Sequence, residues 1–150
     1  ARLTTAAVAA AACASLAPRE NAVITFAALV DVLKPMQERH PASETVASIL
    51  SLRGHGTTSL SAALEQARRQ LGRAAARRKV TLLLSDCRAT EESESAAAAS
   101  SLQELIILAP SDDVEAAEQL ARASGAAWAA VDSVLDVPRL LNRLMADDRV

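Results

Sequence analysis

Residues 79–87 read KVTLLLSDC, and how this stretch is read decides the fold. Val80 to Leu84 are apolar or β-branched without interruption, and the run stops on a serine, a carboxylate and a thiol. An unbroken run of this length suits a strand buried on both faces, since a half-exposed strand would alternate. ELIILAP at 104–110 and AWAAVD at 127–132 are two further strands. Helical stretches of ten or more residues separate the three, which is the pattern of βαβ crossovers and a parallel sheet. The fold class read from this is α/β. In such folds ligands bind beyond the carboxyl ends of the strands, and that edge is where Asp86 falls.

Outward from this core, RRQLG closes a helix spanning 59–71, and SETVASILSLR at 43–53 reads as another, with Ser43 as its N-cap. GHGTT at 54–58 is the loop between them. AVITFA at 22–27 and LVDVL at 29–33 form an antiparallel hairpin that ends at Pro35. Residues 3–16 form an alanine-rich helix closed by Pro18, and a polar helix covers 91–101. SDDVEAAEQLARASG at 111–125 carries Ser111 as N-cap, acids in its first turn and Gly125 at its C-cap; a last helix spans 136–145. There is no linker and no internal repeat, so residues 1–150 read as one domain.

Bulk composition excludes several classes. With 150 residues and 51% hydrophobic content, one core can form without a metal or a disulfide. Sixteen basic and 18 acidic residues leave a net charge of −2, which gives no global field for nucleic acid or an anionic membrane. Phe26 and Trp128 are the only aromatics, so no stacking platform for bases exists. AAVAAAACASLA is 12 residues long, too short to span a bilayer. Cys13 and Cys87 have neither metal-ligand nor redox spacing, and a reduced thiol pair implies a cytoplasmic location.

Few residues carry recognisable chemistry. Glycines 54, 56, 72 and 125 form no nucleotide-binding fingerprint. His40 and His55 lack a second ligand at zinc spacing and read as solvated loop positions. Cys87 beside Arg88 could be an activated nucleophile, but a thiol at a strand end is more simply a small buried hydrophobe. RRQLGRAAARRK at 68–79 concentrates six cations, with a solvated helix face as the plain reading and an anion patch as the alternative. Thr58 and Asp86 remain: a hydroxyl entering a helix and a carboxylate at a strand tip are hard oxygen ligands of the kind magnesium prefers. A helix cap and a turn aspartate account for them equally well.

The order of elements and three stretches together resemble a von Willebrand factor A (VWA) domain. RGHGTTSLSAALEQA is similar to the family's loop and helix, in which a threonine stands two residues before a leucine; Thr58 and Leu60 match. VTLLLSDCRAT resembles the strand ending in Thr-Asp-Gly, with Ser85 and Cys87 replacing its flanks and Asp86 retained. ENAVITFAALVDVLKP resembles the strand pair with a Val-x-x-Phe core. The DCRAT ending looks most like magnesium-chelatase subunits and proteins that work with MoxR-type AAA+ ATPases.

The resemblance implies a three-layer, Rossmann-like fold with one antiparallel edge strand. It implies a metal-ion-dependent adhesion site in which Thr58 and Asp86 ligate magnesium or manganese, with Thr57, Ser59 and Cys87 on the rim. The family's Asp-x-Ser-x-Ser element and its central strand have no counterpart in the sequence, so a strand upstream of Ala1 is expected to complete both. The implied function is non-catalytic: a bound metal captures an acidic side chain of a partner protein, which could be a MoxR-type AAA+ ATPase. A VWA-like scaffold without metal is the first alternative, favoured where Cys87 replaces a glycine that would turn freely through positive φ. A small α/β enzyme using Cys87 or His55 is the second.

Overall fold

The computed structural model describes residues 22–25, 31–38, 41–50, 60–87, 92–133 and 136–146. Among them are strands β1 (Val23–Thr25), β2 (Asp31–Lys34), β3 (Val80–Leu84), β4 (Glu104–Pro110) and β5 (Ala127–Val131). The helices are α1 (Ala42–Leu50), α2 (Leu60–Leu71), α3 (Glu92–Ser100), α4 (Glu115–Ser124) and α5 (Asp136–Ala146). The class is mixed α/β, as the alternation of runs implied.

β4 is the centre. It pairs in parallel with β3 on one side (Leu82 beside Ile106, Leu84 beside Leu108) and with β5 on the other (Ile107 beside Trp128). Leu105 to Ala109 are all buried, and Ile107 is 0% exposed. Burying each of its four large aliphatic side chains contributes roughly 1.5–3 kcal/mol, so this one strand is a major source of stability. Because alternate side chains point to opposite faces, Leu105, Ile107 and Ala109 enter one core and Ile106 and Leu108 another.

Three helices cover the first face. α2 contributes Leu60 and Leu64, with Ala67 and Leu71 packed beside them, the i, i+4, i+7, i+11 stripe of an amphipathic helix. α4 contributes Ala117, Leu120 and Ala121 by the same rule. α3, between them, is ESESAAAAS; its alanines let both neighbours pack close, and Ala99 and Ser95 are both 2% exposed. The second face is covered by α5 through Val137 and Leu140, against Val80, Leu82, Leu84, Ala129 and Val131.

β1 and β2 form a separate antiparallel sheet, as the hairpin reading expected, with an irregularity at Val23–Ile24. A buried hydrogen bond ties it to the main body: the Met36 N–H donates to Gln70 Oε1 of α2 at 2.8 Å. No strand bonds β3 to the hairpin among the described residues, so the outer edge of β3 lacks a partner there. The expected helix at 3–16, with Cys13, lies outside the described residues.

Two helix starts differ from the sequence reading. α1 begins at Ala42, with Pro41 O accepting from the Glu44 and Thr45 N–H groups, so Ser43 lies inside the first turn instead of capping it. α4 begins only at Glu115, with Val114 as an N-cap that makes no side-chain bond. Ser111 donates its N–H to Val131 O and Asp113 its N–H to Pro110 O, so 111–113 form a turn that holds β5 before the helix starts. Gly125 does close α4, at φ 76°.

Two buried hydroxyls, Ser95 Oγ and Thr81 Oγ1, have no hydrogen-bond partner among the described residues. An unmet buried polar group costs about 1–3 kcal/mol, whereas alanine at 95 also favours the helix. Ser95→Ala and Thr81→Val are therefore each expected to stabilise the fold by about 1 kcal/mol. Urea unfolding should show a raised midpoint at unchanged slope, and a lowered midpoint for both would contradict the assignment.

Candidate functional site

The carboxyl end of β3 is shaped by backbone geometry. Ser85 donates its N–H to Leu108 O at 3.2 Å, the last rung before the chain leaves the sheet. Its own hydroxyl then accepts the Cys87 N–H at 2.9 Å, a side-chain turn of the kind serine forms two residues on. Cys87 adopts φ 60°, in the left-handed region where a side chain costs roughly 1–2 kcal/mol. So the cysteine does take the positive φ expected of a glycine, and the sequence-based argument for a stiffer loop does not hold. Burial of its side chain in the core offsets the strain, Cys87 being 6% exposed. Between these two fixed residues sits Asp86, half-buried at the tip of the strand.

α2 approaches the same edge. Its first residue, Leu60, belongs to the same core cluster as Leu83 and Cys87, and residues 72–79 return its other end to the start of β3. Its N-terminal turn therefore lies at the carboxyl edge. Thr57, Thr58 and Ser59, which precede Leu60, lie outside the described residues, as do His40 and His55. The neighbouring strand ends add carboxylates that sequence reading did not single out: Asp112 and Asp113 after β4, and Asp132 after β5. Their common signal is position, each following the carboxyl end of a parallel strand. Asp136 is used internally, accepting from the Ser133 N–H at 3.1 Å and from Arg139 at 2.8 Å.

Two chemical readings can be weighed on this geometry. Cys87 is a packed side chain, not an activated nucleophile: burial, and then the adjacent Asp86 charge, push its thiol from 9.0 up to about 12, against a smaller downward pull from Ser85. The thiolate that attacks is thus scarce at neutral pH. For a metal, the described residues supply too little. No group of three His, Cys, Asp or Glu side chains among them could hold an ion, and the Ser85 hydroxyl is engaged in the turn. Magnesium seeks about six oxygens, so Asp86 alone does not make a centre. The described part does not by itself fit a resident ion.

The thiol gives a direct check. In a Cys13→Ser background, Ellman's reagent at pH 8 should label native Cys87 roughly a thousandfold more slowly than the unfolded chain, as three pKa steps imply. Equal rates would rule out the buried thiol. The sign for stability follows. The folded thiol keeps its proton where the unfolded one loses it, so this contribution is complete below pH 9 and is lost as pH rises towards about 12. The Cys87→Ala variant should lack that alkaline decline.

No protein-family model and no curated protein sequence matches the chain. Solved structures do. A von Willebrand factor type A protein from Catenulispora acidiphila superposes with a TM-score of 0.69 at 16% identity, over 96% of this chain and 36% of its own. The manganese-loaded TRAP protein of Plasmodium vivax also superposes at 0.69, with 14% identity, over 90% of this chain and 61% of its own. The chain thus spans about a third and about three-fifths of these two structures. Among the described residues no helix is long and apolar enough to cross a membrane. With its parallel sheet flanked by helices, the chain has the Rossmann-like α/β fold of von Willebrand factor A domains.

Proposed function

We propose that this chain is a metal-dependent protein-interaction module that captures an acidic side chain of a partner through a divalent cation at the carboxyl edge of β3. One observation carries the reading: Asp86 is held by the Ser85–Cys87 turn at the strand end where ligands of this fold class bind. A fold shared with a manganese-loaded protein supports the choice of magnesium or manganese. Asp86 and Thr58 would hold the ion. The remaining oxygens would come from residues outside the described set. When bound, the ion supplies an open position for a carboxylate, a charge-assisted contact that makes and breaks no bond. A MoxR-type AAA+ ATPase is the partner class we favour, on the DCRAT sequence alone.

A second reading, a scaffold of the same fold without metal, has its own support: among the described residues no group of three His, Cys, Asp or Glu side chains could hold an ion. Thermal melts separate the two. If manganese binds only the folded state, an excess of about a hundred times its dissociation constant stabilises by about 2.7 kcal/mol, which EDTA removes. Asp86→Ala should abolish that difference while folding normally. Superimposable melts of the wild type in manganese and in EDTA would establish the scaffold reading instead.

A further inference from the structure

The end of the molecule opposite Asp86 carries the basic residues that the proposed function leaves unused. α2 ends at Leu71, and residues 72–79 carry the chain to the amino end of β3. Gly72, Arg73 and Ala74 donate their N–H groups to Arg68 O, Gln70 O and Leu71 O, so the chain turns tightly off the helix and stays at that end. Six cations fall between positions 68 and 79. Two are neutralised locally: Arg68 pairs with Glu65, and Arg78 makes a two-pronged bond to Glu104 at 2.8 and 2.9 Å. The side chains of Arg69, Arg73, Arg77 and Lys79 make no ion pair among the described residues, and the three arginines are exposed.

Among the described residues, the helices add cations rather than acids to this end through their last turns. α3, α4 and α5 each follow a strand and so start at the carboxyl edge, where Glu94, Glu115 and Asp136 lie in or near their first turns. Basic residues occupy the last turns of α2, α4 and α5. Each choice suits the helix macrodipole, but together they segregate charge along the strand axis. Glu104, the acid that stands among the cations, is committed to Arg78. Between the cations lie Gln70, Leu71, Gly72 and Ala74–Ala76; Gln70 is buried and Leu71 packs against the core, so no bulky exposed side chain keeps a partner's backbone away.

We propose that this amino-end surface, centred on Arg69, Arg73 and Arg77, docks an acidic segment of a partner protein, separately from the metal-dependent edge. Carboxylates suit it better than nucleic acid. Only 1% of residues are aromatic, so bases find nothing to stack on, and a net charge of −2 with an acidic opposite end repels a long polyanion. Contacts of this kind are screened by salt, over about 10 Å at 0.1 M.

The test uses a labelled oligoglutamate peptide in EDTA, read by fluorescence anisotropy against the full chain. Binding is expected at low salt and should weaken at least tenfold at physiological salt. The triple variant Arg69→Gln/Arg73→Gln/Arg77→Gln should lose at least tenfold in affinity at low salt with an unchanged circular dichroism spectrum. Arg139→Glu lowers the net charge by two at the opposite end, where Arg139 pairs with Asp136, and should bind like the wild type. No loss in the triple variant, an equal loss in Arg139→Glu, or no binding by the wild type at low salt overturns the proposal. Tighter binding of a single-stranded oligonucleotide than of oligoglutamate overturns the choice of partner.

Discussion

The structure depends on the burial of one strand. β4 is paired on both sides and covered on both faces, and its side chains feed two cores that share no other strand of comparable burial. That constraint sets the rest. The strands beside it must run parallel to it, because each is reached through a helix, and the helices must present apolar stripes of matching spacing. α3 shows how strictly this holds. A helix of small residues is a poor source of hydrophobic stabilisation, yet between α2 and α4 only a thin helix fits.

The same arrangement produces the asymmetry on which function rests. Parallel strands send all their carboxyl ends to one edge, and helix starts accompany them there. Acidic residues collect at those starts and basic residues at the helix ends, since both choices favour the macrodipole. In the proposed reading the edge with Asp86 takes a cation, and the other edge, whose Arg69, Arg73 and Arg77 make no ion pair among the described residues, takes carboxylates. Two such surfaces would follow from one sheet topology and would not compete for the same partner groups.

The turn after β3 joins fold and function most closely. Ser85 ends the ladder and binds the Cys87 N–H, and Cys87 accepts a left-handed backbone in return for burial in the core. Asp86 is thereby presented at the strand tip by two residues whose own side chains are engaged, Ser85 in the turn and Cys87 in the core. The outer edge of β3, whose Val80, Leu82 and Leu84 are only half-buried, is the least completed part of the described fold.

Much of this was legible in the sequence. The runs at 80–84, 104–110 and 127–131 are short, apolar and uninterrupted, and no other element buries such runs, so the parallel sheet could be read from them directly. Gly125 marked a helix end because a left-handed C-cap favours glycine. The stretch ENAVITFAALVDVLKP was readable as a hairpin for the same local reasons. Helix starts were not legible. Ser43 and Ser111 look like caps, but Pro41 and the contact between Ser111 and Val131 decide the local hydrogen bonding, and the second of these is a contact between distant segments. Nor could the sequence reveal that Cys87 would accept a positive φ, since only its tertiary burial makes that affordable. The pairing of Arg78 with Glu104, and hence which cations of 68–79 stay unpaired, likewise depends on which strand lies beside which. Sequence alone determined the element types and the place of Asp86 at a strand end, because those follow from local periodicity; only tertiary structure decided which side chains are spent internally and which remain for a partner, because that depends on contacts between residues far apart in the chain.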